Sequence, residues 1–188
     1  MPVIEELRAL LEILDDRSRM LAEDVGLGEG VPLRSHTEYG LYELVAALEL
    51  VGPSGTLRET REGVLRAPRH DAELLFVTLD KSDGGFAANT RYDDYPISPT
   101  HFHWETQNTV SSDGEVARRY REHEADGRRI VLCVRQRKKD DRGETVPYTC
   151  LGLVRFVQEE GERPVRIVWK LDRAMPGELF QSTKLAAG

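Results

Sequence analysis

From residue 148 to residue 171 the chain reads YTCLGLVRFVQEEGERPVRIVWKL, two apolar runs joined by a short polar segment. Both runs are rich in β-branched and aromatic residues, which favour β-strands. The segment between them contains Gly161 and Pro164, two residue types that are typical of tight connections. This stretch therefore predicts a hairpin of two long strands near the carboxyl end of the chain.

Upstream of this hairpin, the chain contains further strand-like and helix-like patterns. Apolar or alternating runs that predict strands cover residues 74–79, 101–107 and 129–135. An amphipathic pattern over residues 2–24 predicts a first helix. A second helix is predicted to begin near Ser35, because Ser35 and Glu38 have the spacing of a capping box. A third helix is predicted between residues 114 and 123.

The fold class predicted from these elements is α+β, with an N-terminal helical pair followed by a curved antiparallel β-barrel. Five or more strands with short turns favour such a strongly curved sheet. A break rich in Gly and Pro follows the second helix at residues 52–55. We therefore expect residues 1–55 to form a helical subdomain and residues 56–188 to form a β-rich domain.

The composition is that of a globular protein, with 39% hydrophobic and 31% charged residues. No run approaches the ~18–20 apolar residues of a membrane span, and the first residues show no signal-peptide pattern. We therefore expect a cytoplasmic protein without a membrane partner. Cys133 and Cys150 both lie in apolar strand-like runs, so they are expected to be buried free thiols and not zinc ligands.

The net charge of −7 comes from the first 50 residues. Residues 1–50 carry four Lys or Arg and eleven Asp or Glu, whereas residues 51–188 carry 22 charges of each sign. The acidic total therefore does not prevent the β-rich part from presenting a basic face to nucleic acid.

Motifs of the common enzyme classes are missing from the sequence. There is no phosphate-binding loop of the Walker type, no dinucleotide fingerprint and no nucleophile elbow around a serine. His101 and His103 lie two residues apart, but no third ligand has the spacing of a metal site. We therefore expect a protein without catalytic residues, metal or cofactor. The open alternative is a small nuclease or base-modifying enzyme that uses Asp93 or Asp94 with His103.

Residues 81–108 combine polar, acidic and aromatic side chains in one predicted loop and the strand that follows it. Aromatic rings stack on nucleobases, and Asp, Asn and Gln can hydrogen-bond to the edges of a base. The stretch therefore indicates a pocket for a flat polar ligand such as a nucleobase. An equally open interpretation is that Tyr92, Tyr95 and Trp104 are ordinary half-buried aromatic residues of the fold.

Several sequence elements are specific as an ordered set. They are His36-x-x-Tyr39, Phe76-Val77-Thr78-Leu79-x-Lys81-Ser82, Thr90-Arg91-Tyr92-x-Asp94-Tyr95-x-Ile97-Ser98-Pro99, Phe102-His103-Trp104-x-x-Gln107 and Pro164-Val165-x-Ile167-x-Trp169. Over residues 36–176 this pattern resembles the C-terminal domain of unknown function of bacterial superfamily-two helicases that also carry a phospholipase-D-type nuclease. Two positions depart from it: Cys150 stands where an aromatic residue is expected, and Glu105-Thr106 replaces Gln-Ser.

The resemblance implies a role in type IV restriction, which attacks DNA that carries modified bases. In such proteins the domain is similar to methylcytosine-binding SRA domains, which belong to the PUA-like barrel class. It implies a non-catalytic reader of double-stranded DNA, with 5-methylcytosine or another modified cytosine flipped into a pocket lined from residues 90–107. A fused or associated helicase–nuclease is the implied partner. A module that only docks on such a partner, without touching DNA, is the remaining alternative.

The predicted base pocket consists of Tyr92, Asp94, Tyr95, Ser98, His103, Trp104 and Gln107. The aromatic residues would stack on the flipped base, and Asp94 would accept a hydrogen bond from the exocyclic amine of cytosine. Phosphate contacts are expected from basic residues, because neutralised phosphates dominate DNA affinity. The predicted phosphate-binding residues are Arg58, Arg61, Lys81, Ser82 and Arg91, with Arg66 and Arg69 as further basic candidates.

Overall fold

A computed structural model describes residues 2–50, 63–80 and 93–187 of the chain. Within these ranges the chain forms four α-helices, one short 3₁₀ helix and eight strands, so the predicted α+β class is confirmed. In chain order the elements are α1 Pro2–Met20, β1 Thr37–Tyr39, α2 Leu41–Ala47, β2 Val64–Ala67, the 3₁₀ helix Pro68–His70, β3 Ala72–Thr78, β4 Tyr95–Ser98, β5 His101–Glu105, α3 Glu115–Arg121, β6 Arg129–Arg135, β7 Tyr148–Glu160, β8 Arg166–Leu171 and α4 Gly177–Ala187. No helix in the described part of the chain has both the length and the apolar character needed to cross a membrane.

The eight strands form one open, mixed sheet with the order β2-β3-β6-β7-β8-β5-β4, and β1 pairs with β7. The predicted hairpin is confirmed, because β7 and β8 pair antiparallel. The prediction of a closed antiparallel barrel is wrong for the described strands. The β3–β6 pair is parallel, and β2 and β4 lie at the two ends of the strand order. A parallel pair needs a long crossover, which here contains β4, β5 and α3, and turn composition carries no signal for such a distant pairing.

Strands β3 and β6 are buried on both faces of the sheet. On one face, Leu75 and Leu132 belong to a core cluster that also contains Trp169. On the other face, Leu74 and Val131 belong to a second cluster. This double burial explains why both strands are continuous apolar runs in the sequence, since a strand covered on one face only alternates between apolar and polar residues.

The second cluster is completed by the segment 25–50, which packs across this face of the sheet through eight of its Leu and Val residues. The segment is tied to the sheet where β1 pairs with β7 and where the amide of His36 donates to the carbonyl of Cys150 at 2.6 Å. Residues on both sides of position 55, the predicted domain boundary, therefore contribute to one cluster.

The local start of α2 differs from the prediction. Helix α2 begins at Leu41, and the amide of Gly40 donates to Glu43 Oε2 at 2.6 Å. The predicted capping residue, Ser35, is buried, and its hydroxyl oxygen instead accepts a hydrogen bond from Arg173 at 3.0 Å. The capping-box spacing thus occurs twice within nine residues, at Ser35 and at Gly40. Because Ser35 is bonded to Arg173, only the second occurrence caps the helix.

The two cysteines are buried free thiols, as the sequence predicts. Cys133 on β6 lies directly opposite Cys150 on β7. A hydrogen bond between the two thiols raises the pKa of Cys133, to which burial adds, and lowers the pKa of Cys150. Both directions follow if the thiol of Cys133 is the donor, because a donor holds its proton more firmly and its acceptor is stabilised as the anion.

A buried ion pair joins β3 to α3. The Nε atom of Arg119 lies 2.6 Å from Oε1 of Glu73, and both side chains are largely removed from solvent. Tyr120, the next residue of α3, is buried beside this pair. Burial, with the charge of Glu73 as the next cause, raises the pKa of the Tyr120 phenol well above its usual range.

Candidate nucleic-acid interface

Strands β8, β5 and β4 have one face on the core, and their other face carries polar, charged and aromatic side chains. Side chains directly opposite each other in an antiparallel pair lie on the same side of a sheet. His101 faces Lys170 in the register of β5 with β8, and Lys170 faces Arg155 in the register of β8 with β7. This surface continues the face that the segment 25–50 covers farther along the sheet. We call it the outer face, and it consists of Tyr95, His101, His103, Arg155, Arg166 and Lys170.

The centre of the outer face is a stack of two rings. Tyr95 on β4 lies opposite His103 on β5, with ring centroids 4.6 Å apart and an angle of 14° between the planes. His103 is buried, whereas Tyr95 is 42% exposed. One face of the tyrosine ring is therefore supported by the imidazole, while part of the ring is accessible to a ligand.

A hydrogen bond from its imidazole fixes the orientation of His103. Its Nδ1 atom lies 2.6 Å from the carbonyl oxygen of Asp93. Because a carbonyl oxygen can only accept a hydrogen bond, Nδ1 carries the proton and Nε2 is the acceptor in the neutral ring. The ring under Tyr95 is thus held in one orientation and one tautomer.

Acidic side chains fasten the start of β4 to β5. The carboxylate of Asp94 accepts a hydrogen bond from the amide of Glu105 at 3.0 Å, and the carboxylate of Glu105 accepts one from the amide of Asp93 at 3.2 Å. Glu105 also accepts a hydrogen bond from Nε of Arg166 at 3.0 Å, and this bond raises the pKa of the Arg166 guanidinium. These reciprocal bonds position Tyr95, the residue that follows.

A second polar cluster lies at the turn between β4 and β5. The hydroxyl of Ser98 is 3.3 Å from Nδ1 of His101, and the hydroxyl of Thr100 is 3.0 Å from the same nitrogen. Ser98 is half-buried. The two hydroxyl groups orient the ring of His101 at the edge of the outer face.

Basic side chains from β7 and β8 flank the ring stack. Lys170 is exposed between His101 and Arg155 in the sheet register. Arg155 donates to Asp172 at 2.6 Å, and this hydrogen bond raises the pKa of its guanidinium. Arg155 therefore stays cationic at neutral pH, the charge that a phosphate backbone requires.

Trp104 lies on the opposite side of β5 from Tyr95 and His103. It is 6% exposed and packs edge-on against Tyr120 at 5.3 Å within the core. The structure therefore brings Tyr95 and His103 together but separates Trp104 from both, because consecutive residues of a strand point to opposite faces. Gln107 is half-buried two residues beyond the end of β5.

Several predicted site residues lie outside the described residues. They are Tyr92 of the base pocket and the phosphate candidates Arg58, Arg61, Lys81, Ser82 and Arg91. The two further basic candidates are described, and they lie at the other end of the sheet. Arg66 is 3.9 Å from Glu73, and Arg69 is 3.3 Å from Glu49.

The sequence analysis did not select the three basic residues of β7 and β8. Their signal is present in the hairpin from which the fold was predicted, because Arg155, Arg166 and Lys170 alternate with the buried residues of these strands. The missing information was that β8 pairs with β5, which places these charges beside Tyr95. Within residues 2–50, 63–80 and 93–187, no group of three or more His, Cys, Asp or Glu side chains is arranged to hold a metal ion.

The chain is an α+β domain with an open mixed sheet and a polar, aromatic outer face. A family described as a domain of unknown function (DUF3427) matches residues 37–183. The chain therefore belongs to this family, and the match includes all eight strands that the structure describes. No curated protein matches the chain.

Proposed function

We propose that this domain binds double-stranded DNA that carries a modified base, and that the extruded base stacks on Tyr95. The observation that carries the proposal is the Tyr95–His103 stack, an exposed ring supported by an oriented, buried one. Extruding a base from a duplex costs a few kcal/mol, and an aromatic platform returns roughly 1–3 kcal/mol per base. A platform of fixed orientation is suited to this task because little conformational freedom is lost on binding.

The chemical class of the base and the biological setting rest on the sequence resemblance. It supports a modified cytosine as the ligand and a target-reading role, without catalysis, in type IV restriction with a fused or associated helicase–nuclease. A kinship with PUA and SRA barrels is part of the same proposal. In this proposal Asp94 positions Tyr95 through the amide of Glu105 instead of reading the base edge, since one of its oxygens is already bonded within the protein.

The first prediction concerns discrimination between modified and unmodified DNA. Tyr95→Ala is expected to abolish the preference for a modified duplex, because the stacking surface is lost, whereas Tyr95→Phe is expected to keep it. The measurement is the ratio of Kd values for two duplexes that differ in one base modification. Tyr42→Ala is the matched control, because Tyr42 on α2 is 68% exposed and lies outside the outer face.

Thermal unfolding of each variant must accompany this comparison. If Tyr95→Ala folds normally and discriminates as well as the unchanged protein, the outer face does not read the base. A loss of preference in Tyr95→Phe as well would assign the effect to the hydroxyl group and not to stacking.

The second prediction concerns salt. DNA binding is expected to weaken as salt rises, and Lys170→Ala is expected to reduce the slope of log K against log salt by about 1, the value for one phosphate contact. Lys184→Ala on α4 is the control, because Lys184 is an exposed lysine outside the outer face. Salt-independent binding, or equal slopes for Lys170→Ala and the unchanged protein, would contradict the placement of the phosphate backbone along Lys170.

A further inference from the structure

Helix α1 presents an apolar surface that the rest of the described chain does not cover. Six of its apolar side chains are more than half exposed, as is Leu21 just beyond its end. The six are Ile4, Leu7, Leu10, Leu11, Ile13 and Leu14. The two core clusters begin at Val25 along the chain, so none of the α1 side chains that the structure describes contributes to them. An amphipathic helix in water is normally stable only when its apolar side is packed against another surface.

The apolar residues follow the spacing of a coiled coil. Ile4, Leu7, Leu11 and Leu14 alternate in steps of three and four residues, and Leu21 continues the repeat. This spacing corresponds to the a and d positions of a heptad, which form the seam between two helices. The surface therefore matches a second helix of the same kind.

We propose that α1 pairs with α1 of a second copy of this chain, in an antiparallel arrangement. The charges beside the seam determine this orientation. Arg8 and Asp15 each follow a d position, and residues at this position face each other across an antiparallel pair. Arg8 then lies opposite the partner's Asp15, and the same pair occurs again by symmetry. In a parallel pair, Asp15 would instead lie opposite the partner's Leu10.

The position of the folded domain agrees with this arrangement. The domain follows the carboxyl end of α1, so an antiparallel pair places the two domains at opposite ends of a helix that is about 28 Å long. A membrane is a poorer match for this helix, because residues 2–20 carry five acidic and three basic residues, whereas surface-bound helices are usually rich in Lys and Arg.

The first experiment measures molar mass by analytical ultracentrifugation from about 1 μM to about 1 mM. The unchanged chain is expected to pass from monomer to dimer, and Leu11→Lys is expected to stay monomeric with unchanged thermal unfolding. Leu185→Lys is the matched control, because Leu185 on α4 is 81% exposed and should not alter dimerisation. A monomer throughout, a dimer that Leu11→Lys does not affect, or binding of the monomer to vesicles of anionic lipid would overturn the proposal.

The second experiment tests the orientation by exchanging charges. Arg8→Asp and Asp15→Arg are each expected to weaken the dimer about tenfold, because each creates two like-charge contacts. The double variant with both substitutions should restore the affinity, since every opposite-charge contact is formed again with the signs exchanged. Equal affinities for all four proteins would overturn the antiparallel arrangement.

Discussion

Trp104→Ala is expected to lower the free energy of unfolding by about 3–5 kcal/mol, the range for removing a large aromatic side chain from a core. Trp104 packs against Tyr120 and Trp169, with ring centroids 5.3 and 6.3 Å away. Removing the indole leaves a cavity beside two rings that are held by α3 and β8, and these cannot collapse freely into it. The measurement is chemical denaturation followed by circular dichroism.

Tyr95→Ala on the neighbouring strand is the control for this prediction. Because Tyr95 lies on the outer face and is partly exposed, its removal should destabilise the protein by less than about 1 kcal/mol. If Trp104→Ala unfolds like the unchanged protein and loses only the preference for modified DNA, then Trp104 belongs to the base pocket, as the sequence analysis predicted.

Arg119→Ala is expected to destabilise the protein by about 3–5 kcal/mol, the range for removing one partner of a buried ion pair. The change leaves the carboxylate of Glu73 buried, with only the half-exposed Arg66 at 3.9 Å as a described cation near it. The double variant Glu73→Leu with Arg119→Met should recover most of this loss, because it removes both charges and keeps apolar volume.

The exposed pair of Arg69 and Glu49 is the control for the buried one. Its atoms are 3.3 Å apart, but both side chains are mostly in solvent, so Arg69→Ala should change the free energy of unfolding by less than about 1 kcal/mol. Similar losses of unfolding free energy for Arg69→Ala and Arg119→Ala would show that burial of the charge does not cause the destabilisation. A double variant as unstable as Arg119→Ala would show the same.

Strands with strong burial were predictable, and short strands were not. The boundaries of β6 agree with the predicted run 129–135, because burial on both faces makes the whole strand apolar. Strands β1, β2 and β4 have only three or four residues, too few for a clear alternation, and β1 also depends on β7, more than 100 residues later in the chain. Helix α4 was also missed, since it mixes exposed and half-buried residues without a clear apolar side.

The candidate site was predictable in part. The stretch that contains Tyr95 and His103 was selected for its aromatic and polar composition, and the structure brings these two residues together. The inclusion of Trp104 conflicts with the alternation of β5, which the sequence already showed: His103 and Trp104 are neighbours in one strand and cannot share a surface. The pairing of β5 with β8, which adds Arg166 and Lys170, could not be read from local pattern.

The covering of β3 and β6 by the segment 25–50 has a consequence for how the chain folds during synthesis. This segment leaves the ribosome before the strands that it covers, but β1 pairs with β7, more than 100 residues later, and the cluster under the segment also contains residues of β6. At about 5–20 residues per second, the segment waits for several seconds or more with its leucines and valines exposed to water. Contacts of such high sequence separation also slow folding once the chain is complete. The early chain therefore exposes a short apolar segment of the kind that chaperones bind.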